Sequence, residues 1–600
     1  MISQTDRHTR YPSVEKRWVK NEKKVKIILE DIQANHNHSW YREILNRNAR
    51  NMDNTAIYYR GNEITYQELF SASEQFAKSL KTIGITKGDE IIACMTNVPE
   101  LLYLMMGASC IGAVVNFVSE SFEEGCLSEN IGKNNKLLVI CENYLEQFSK
   151  KISTDRFENC LVVSLSDSYK DGNNPYYELE KDFVDFTSVS GKVNIGDDRA
   201  YRIKEFMELG MDYSGDFEDT TVDLDTEFTI TYTSGSTKVG WPKAIVHTNR
   251  SYISIGRFHD PDISRMPAMR NMRGLAHIPT HSNTDLVSSI SDPLMQTCTV
   301  AFEPIYDKEF FARSLAINKP GFVPATRSFW LTAVKCMKTD KLVKDIDISA
   351  LINAVAVGED ISKNEENFIN ECFKEHRAGS KVLPRILGST TISVGGGNCE
   401  HGGLFFTLLK GKREIFGNDF GLVPFQLVEM AILKEDGTEC DYNELGLLVA
   451  NSVCTMKEYK NNRQATEMFY KKDAYGRIWG NCNVWATLDK KGRIHMRGRV
   501  GNETTLNGKT IPLFKISDVI LSNNQVLSCE TVNSKAGKLV SFVELLSGNS
   551  KELVEEFREQ IRKAFDLERL DNYEIRIISE GSFVLTKSGK RNIAYLENLD

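Results

Sequence analysis

The sequence predicts an α/β protein: a large, multi-subdomain N-terminal portion with mostly parallel sheets and a β-rich section, then a small α+β C-terminal unit. Three observations carry this expectation. Helix-period and strand-like stretches alternate from Ala56 to about residue 160 and again from Phe228 to about Val428, as parallel strands covered by helices require. Residues 429–499 favour strands, with turn signals at Asp436-Gly437 and Lys491-Gly492. The last hundred residues carry helix and strand patterns of their own.

Each element has a local reason. The basic run Lys16 to Lys26 is expected to be a solvated helix rather than a nucleic-acid patch, and globular patterning is expected to begin near Ala56. Ile64-Thr65-Tyr66-Gln67-Glu68-Leu69 opens a helix whose apolar positions Leu69, Ala72, Phe76, Ala77 and Leu80 share one face. Gly84, Gly88 and Asp89 punctuate, and Glu90 to Met95 reads as a buried strand. Leu101 to Val118 is just long enough to span a bilayer. Asn116, Gly107, Ser109 and Gly112 interrupt it and no positive flank follows, so it reads as a buried helix running into a buried strand. Residues 165–225 are polar, acidic and aperiodic, and are expected to be loops and a surface insert. The best C-terminal helix spans about Ser550 to Leu570, with Asn549 and Glu552 as a capping box and Leu553, Phe557, Ile561, Ala564 and Phe565 as its stripe.

Composition narrows the function classes. With 600 residues, 41% hydrophobic and 26% charged, the chain is neither disordered nor a small disulfide scaffold. The 74 Lys+Arg against 82 Asp+Glu argue against nucleic acid as a partner. The 13 cysteines are scattered with no CxxC, so zinc and dithiol motifs are not expected, and free thiols suit a reducing, cytoplasmic location. The N-terminus lacks an apolar signal core.

The most informative stretch follows the strand Phe228 to Tyr232. Thr233-Ser234-Gly235-Ser236-Thr237-Lys238-Val239-Gly240-Trp241-Pro242-Lys243 packs hydroxyls, glycines and lysines together. Glycines let backbone N–H groups turn toward an anion, hydroxyls donate further bonds and lysine supplies charge, which describes a polyphosphate cradle. Gly235 and Gly240 have the spacing of a Walker loop, but Trp241-Pro242 stand where Lys-Ser/Thr should follow. A Ser/Gly-rich turn is the plain alternative. His277 and His281 lie four apart, yet Pro279 opposes the helix that would align them on a metal. In the glycine-rich run Gly395 to Gly403, Cys399 and His401 could bind metal or pair as nucleophile and base, but a mobile active-site loop is the preferred reading.

The cradle resembles the phosphate loop of the adenylate-forming superfamily: acyl-CoA synthetases, luciferases and adenylation domains of nonribosomal peptide synthetases. That loop reads T-S-G-[ST]-T-G-x-P-K-G before a His. Here TSGST, GWPKA and His247 follow in the same order, with Lys238-Val239 as an insertion. Ile64 to Leu69 is similar to I-T-Y-x-E-L, Gly84 to Asp89 to G-[IV]-x-[KP]-G-D, and Asn97 to Glu100 to N-x-P-E. Asp489 to Gly492 with Gly498-Arg499 resembles the segment before the family's hinge, and Thr586-Lys587-Ser588-Gly589-Lys590 its closing T-x-S-G-K. Shared order from about residue 40 to the end identifies the chain as a divergent member.

The resemblance implies a large AMP-binding domain over residues 1–499 and a small mobile domain over 500–600, hinged near Gly501. It implies ATP-dependent adenylation of a carboxylic acid, with Mg²⁺ arriving on ATP, then transfer to the thiol of CoA or of a carrier protein's phosphopantetheine. No protein-held metal is expected. Lys590 would bridge the acyl carboxylate and the α-phosphate. Thr233, Ser234, Gly235, Ser236, Thr237, Gly240 and Lys243 would hold phosphates, and Val357, Gly358 and Glu359 would lie against adenine. Thr280 and His281 would flank the acyl group, with Asp285 the candidate for an ammonium group if the acid is an amino acid. Leu387, Gly388, Ser389, Thr390 and Thr391 take the place of the nucleotide-binding Y-G-x-T-E, losing its stacking Tyr and Mg²⁺-holding Glu. Gly480 to Asn483 takes the place of the ribose-binding T-G-D, with Asn483 or Asn481 where the family's Asp is missing, and Arg499 before the hinge is a further nucleotide-binding candidate. These two losses also suggest a catalytically impaired or non-catalytic nucleotide-binding relative.

Overall fold

The computed structural model describes residues 12–15, 30–169, 199–233, 241–265, 272–359, 361–382, 389–406, 419–422, 428–490, 493–546, 551–579, 581–586 and 590–599. Two eight-stranded sheets form the body. In one, Glu227–Tyr232, Val114–Phe117, Glu90–Cys94, Asn135–Cys141, Phe157–Val163 and Ala200–Arg202 run parallel, and Ala244–Thr248 closes antiparallel against Glu227–Tyr232. In the other, Thr55–Tyr59, Thr299–Phe302, Arg273–Ala276, Phe322–Ala325, Asn353–Val357 and Ser393–Asn398 run parallel. Their inner strands are short and buried on both faces, which is why they read as apolar runs rather than alternations.

The helix expected after Ile64 spans Tyr66–Thr82, and Thr65 and Glu68 cap it reciprocally. The apolar run after residue 100 is helix Pro99–Ile111 followed by strand Val114–Phe117, both buried. Among the described residues no helix is long and apolar enough to cross a membrane.

Two expectations need correction. Globular structure starts before Ala56: helix Trp40–Asn48 buries Trp40, Tyr41 and Ile44 in the main core, and Trp40 packs 5.4 Å from Phe228. The many polar neighbours in sequence hid this face, whose apolar residues are few but large. In the 165–225 region, Ala200–Arg202 is an edge strand and Ile203–Leu209 a helix packed on Tyr66–Thr82. A three-residue, half-buried strand has no period to read.

A third, antiparallel sheet contains Val428–Leu433, Gly446–Ser452, Ile478–Leu488 and Arg493–Arg499, as the turn signals implied. Beyond Gly501 the chain builds a separate three-stranded sheet, Val526–Asn533, Leu539–Leu545 and Tyr573–Ile578. Helices Leu513–Leu521 and Lys551–Ala564 cover it around a core with Ile516, Ile520, Phe557 and Ile561. Asn549 lies outside the described residues.

Candidate active site

The site lies where parallel strands end, the usual place for ligands in open α/β sheets. Strand Asn353–Val357 ends in Gly358, whose φ is +77°. A Cβ there would stand 2.8 Å from Lys590 Cε and 3.4 Å from its Nζ, so the absent side chain leaves the space the lysine fills. The structure thus brings Lys590 of the C-terminal unit against Val357-Gly358-Glu359 of the body. Burial pushes the Lys590 ammonium below its ordinary pKa; Arg499 adds to this, while Cys399, Glu359 and Glu400 oppose it. A desolvated cation among charges of both signs is placed for a charge-transfer step.

Two threonine clasps hold the lysine-bearing loops. At the phosphate loop, Thr233 N–H donates to Lys243 O at 3.1 Å and Lys243 N–H donates to Thr233 Oγ1 at 3.0 Å. At the second, Thr586 N–H donates to Lys590 O at 2.6 Å and Lys590 N–H donates to Thr586 Oγ1 at 3.2 Å. Ser234, Gly235, Ser236, Thr237 and Gly240 lie outside the described residues, so only the base of the phosphate loop is seen. Lys243 Nζ sits 4.8 Å from the Tyr459 ring centre, and Tyr459 OH donates to Glu400 Oε1 at 2.6 Å. A chain of contacts therefore runs from Lys243 through Tyr459 to Glu400, which with Glu359 is one of two carboxylates whose charge acts on Lys590.

The small unit is latched beside Lys590. Arg591 N–H donates to Glu359 Oε1 at 2.6 Å. Its buried guanidinium bonds Ser528, Cys529 O and Glu530, and stands 3.8 Å from Glu365. Arg327 lies 3.6 Å from both Glu359 and Glu365. Nearby, Ser362 Oγ donates to Leu527 O at 2.8 Å and Asn364 Nδ2 to Val526 O at 2.6 Å.

Leu387 and Gly388 lie outside the described residues. Ser389, Thr390 and Thr391 do not reach Lys590. Thr390 Oγ1 donates to Leu351 O at 2.6 Å, before strand Asn353–Val357 begins. Gly358 ends that strand, five residues on, or roughly 16 Å at strand rise. The neighbouring parallel strand Ser393–Asn398 carries the chain back to the lysine end, delivering Cys399 and Glu400. Gly396-Gly397-Asn398-Cys399-Glu400 resembles Y-G-x-T-E with Gly for Tyr and Cys for Thr; those two changes concealed it in the sequence.

Asn483 adopts φ +55° and its C=O accepts from Val500 N–H at 3.2 Å, beside Arg499. On the other side of the site, Thr280 is buried with its hydroxyl committed to Met95 O at 2.7 Å. His281 meets Phe122 edge-on at 5.3 Å, and its C=O accepts from Tyr232 N–H. His277 instead donates to Pro324 O at 2.8 Å and stacks on Phe311, so the two histidines do not converge on a metal. Cys399 and His401 do not form a nucleophile–base pair. Burial pushes the Cys399 thiol up to about 11 and His401 down to about 4, and His401 bonds Asn398 Oδ1 at 2.7 Å. Asp285 is fully buried, pushed up to about 7 by burial, and opens the π-helical turn Asp285–Ser291.

A large α/β body whose strand ends meet a lysine carried by a small α+β unit is the architecture of adenylate-forming enzymes. The AMP-binding enzyme family model matches residues 45–460, and the chain belongs to that family and its adenylate-forming superfamily. It is similar to the acetyl-coenzyme A synthetase of Chlorobaculum tepidum, 22% identical over 522 residues, covering 82% of this chain and 72% of the other. A benzoate CoA ligase from Burkholderia xenovorans LB400 shares the fold at TM-score 0.68 and 15% identity, covering 93% of this chain and all (100%) of that one. ATP-bound MatB from Rhodopseudomonas palustris does so at TM-score 0.68 and 14% identity, covering 94% and 98%.

Proposed function

We propose that this protein uses ATP to convert a carboxylic acid to an acyl-adenylate and passes the acyl group to a thiol, either CoA or a carrier protein's phosphopantetheine. The observation that carries the reading is Lys590, half-buried and packed against Gly358 within the fields of Arg499, Glu359 and Glu400. Family membership and relatives that are acid–CoA ligases support it.

The chemistry follows from charge. A carboxylate must attack the α-phosphorus of a polyanion while pyrophosphate leaves, so the barrier is largely electrostatic. The Lys590 ammonium stabilises the shared charge of carboxylate oxygen and α-phosphate. Lys243, with Ser236 and Thr237 on the loop it closes, would hold the outgoing phosphates. The residues also fit Mg²⁺ arriving with ATP: Glu400, between Tyr459 and Lys590, takes the part sought at Thr391 and supplies a hard oxygen. When bound, the ion neutralises phosphate charge. Val357, Gly358 and Glu359 face adenine, and Arg499 with Asn483 faces the ribose.

The proposed domains are residues 1–499 and 500–600. Gly501, at φ +86° with nothing within 4 Å of its Cβ position, is the hinge that lets Lys590 withdraw before the thiol attacks. The thirteen cysteines are all free, which suits a reducing, cytoplasmic compartment.

ATP–pyrophosphate exchange across a panel of acids tests the reading. Acid-dependent exchange, followed by thioester on adding a thiol, is expected. A second reading, a nucleotide-binding relative without catalysis, is favoured by neutral Asn483 where relatives hold the ribose with Asp; nucleotide binding without exchange for any acid would establish it.

A further inference from the structure

The N-terminal approach to the body gathers an unusual set of side chains, away from the active site. His36 and His38 are two apart on a non-helical stretch and turn to the same side. Five residues later, Glu43 sits in the first turn of helix Trp40–Asn48 with its side chain 2% exposed. One oxygen, Glu43 Oε2, faces His36 Nδ1 at 2.7 Å and His38 Nε2 at 2.8 Å. The three potential ligand atoms all lie within 4.8 Å of one another.

The outer contacts orient this set. Arg47 Nε donates to the other Glu43 oxygen at 2.6 Å, fixing the carboxylate and leaving Oε2 to the imidazoles. His36 Nε2 faces Asp31 Oδ2 at 3.4 Å. A carboxylate at the far ring nitrogen is also the usual outer partner of a metal-ligating histidine. Each imidazole shares a proton with Glu43 Oε2 at hydrogen-bond distance, and a bound cation would take the place of those protons. Asp31 is itself held by Arg257 and by Asn35 Nδ2 at 2.7 Å. The other grouping of this kind among the described residues lacks such a set. His376 there already meets the carbonyls of Cys372 and Lys344 through its two nitrogens, at 3.0 and 2.9 Å.

We propose that His36 Nδ1, His38 Nε2 and Glu43 Oε2 bind one divalent transition-metal ion of the zinc class, which staples residues 30–38 to the body. Two histidines and one glutamate with an open fourth position is an established donor set for such ions. Tetrahedral coordination at about 2.0–2.1 Å separates ligand atoms by roughly 3.3 Å, so the present contacts open by about half an ångström. The histidine side chains, 18% and 24% exposed, have room to shift while Arg47 holds Glu43. Glu43 and Asp31 are already balanced by Arg47 and Arg257. The ion's charge therefore faces the concavity that these residues line with Asn35 and Asn46, and its open position favours hydroxide or another small anion. Ligands confined to eight residues need little chain entropy to assemble.

The test uses the untagged full chain stripped with chelator, titrated with Zn²⁺ alone by calorimetry and with Co²⁺ alone by visible absorption. One ion per chain, cobalt bands of tetrahedral type and a higher melting temperature with Zn²⁺ are expected. His38→Gln, at the more exposed ligand, weakens uptake at least ~10-fold, and His36→Gln with His38→Gln abolishes it. Circular dichroism identifies folded variants, and should the double variant not fold, His38→Gln alone decides. Uptake well below one ion per chain, or uptake unchanged in a folded variant, overturns the proposal.

Discussion

The two lysine loops of this protein share a clasp and differ in everything around it. In each, a threonine N–H donates to the lysine C=O and the lysine N–H returns to the threonine Oγ1. Lys243 directly precedes a strand of one large sheet and lies over the Tyr459 ring, so its whole setting belongs to the body. Lys590 belongs to a unit with its own core and reaches its position only across an interface. On the proposed reading the same local device serves two tasks: a fixed grip on phosphate and a removable charge. What separates them is which sheet carries the loop.

The largest expected effect comes from the removable charge. Lys590→Ala should lower ATP–pyrophosphate exchange by about 10²–10³-fold, the scale of losing one preorganised transition-state contact. Thioester formation from a supplied acyl-adenylate should change far less; equal losses in both half-reactions would erase the contrast between the loops. Glu400→Gln should cost about 10²-fold in exchange and raise the Mg²⁺ concentration needed for half-maximal rate. Thr391→Glu, at the other end of the sheet, should leave both unchanged.

Arg591→Ala tests the latch that seats Lys590. It removes a partner of Glu365, which is 1% exposed, and loss of a buried partner costs about 3 kcal/mol. Thermal unfolding should fall and adenylation should drop more than thiol transfer. A charge suppressed on the acyl side gives the converse case. Asp285, ordinarily near 3.8, is pushed up to about 7 by burial. Folded protein keeps a proton that unfolded protein releases, so this group's penalty grows as pH rises from about 4 to about 7 and is constant above. Asp285→Asn should flatten that part of the stability profile and gain a few kcal/mol at most above pH 7, read by denaturation across pH. The smallest effect is expected of Thr233→Val, which breaks one clasp bond worth about 1 kcal/mol and should slow exchange roughly fivefold.

Much of this was legible in the residues. The helix at Tyr66–Thr82 announced itself by Thr65, Glu68 and its period, and the helix–strand pair after residue 100 by its breaks. The family pattern drew Lys590, Lys243 and Gly358 from positions far apart in the chain. Glu400 was not legible, because a short motif with two altered residues competes with another partial match, Leu387 to Thr391, shortly before it. Neither was Arg591, whose partners come from three separate segments.

The sequence by itself determined the α/β class and the phosphate-loop strand, because periodicity and turn chemistry are local, and resemblance to the family's motifs picked out the two clasped lysines. Only the tertiary structure decided which carboxylates act on Lys590, which end of the sheet Thr390 occupies, and that His36, His38 and Glu43 converge. Those are matters of strand direction and of contacts between distant segments, which no local pattern encodes.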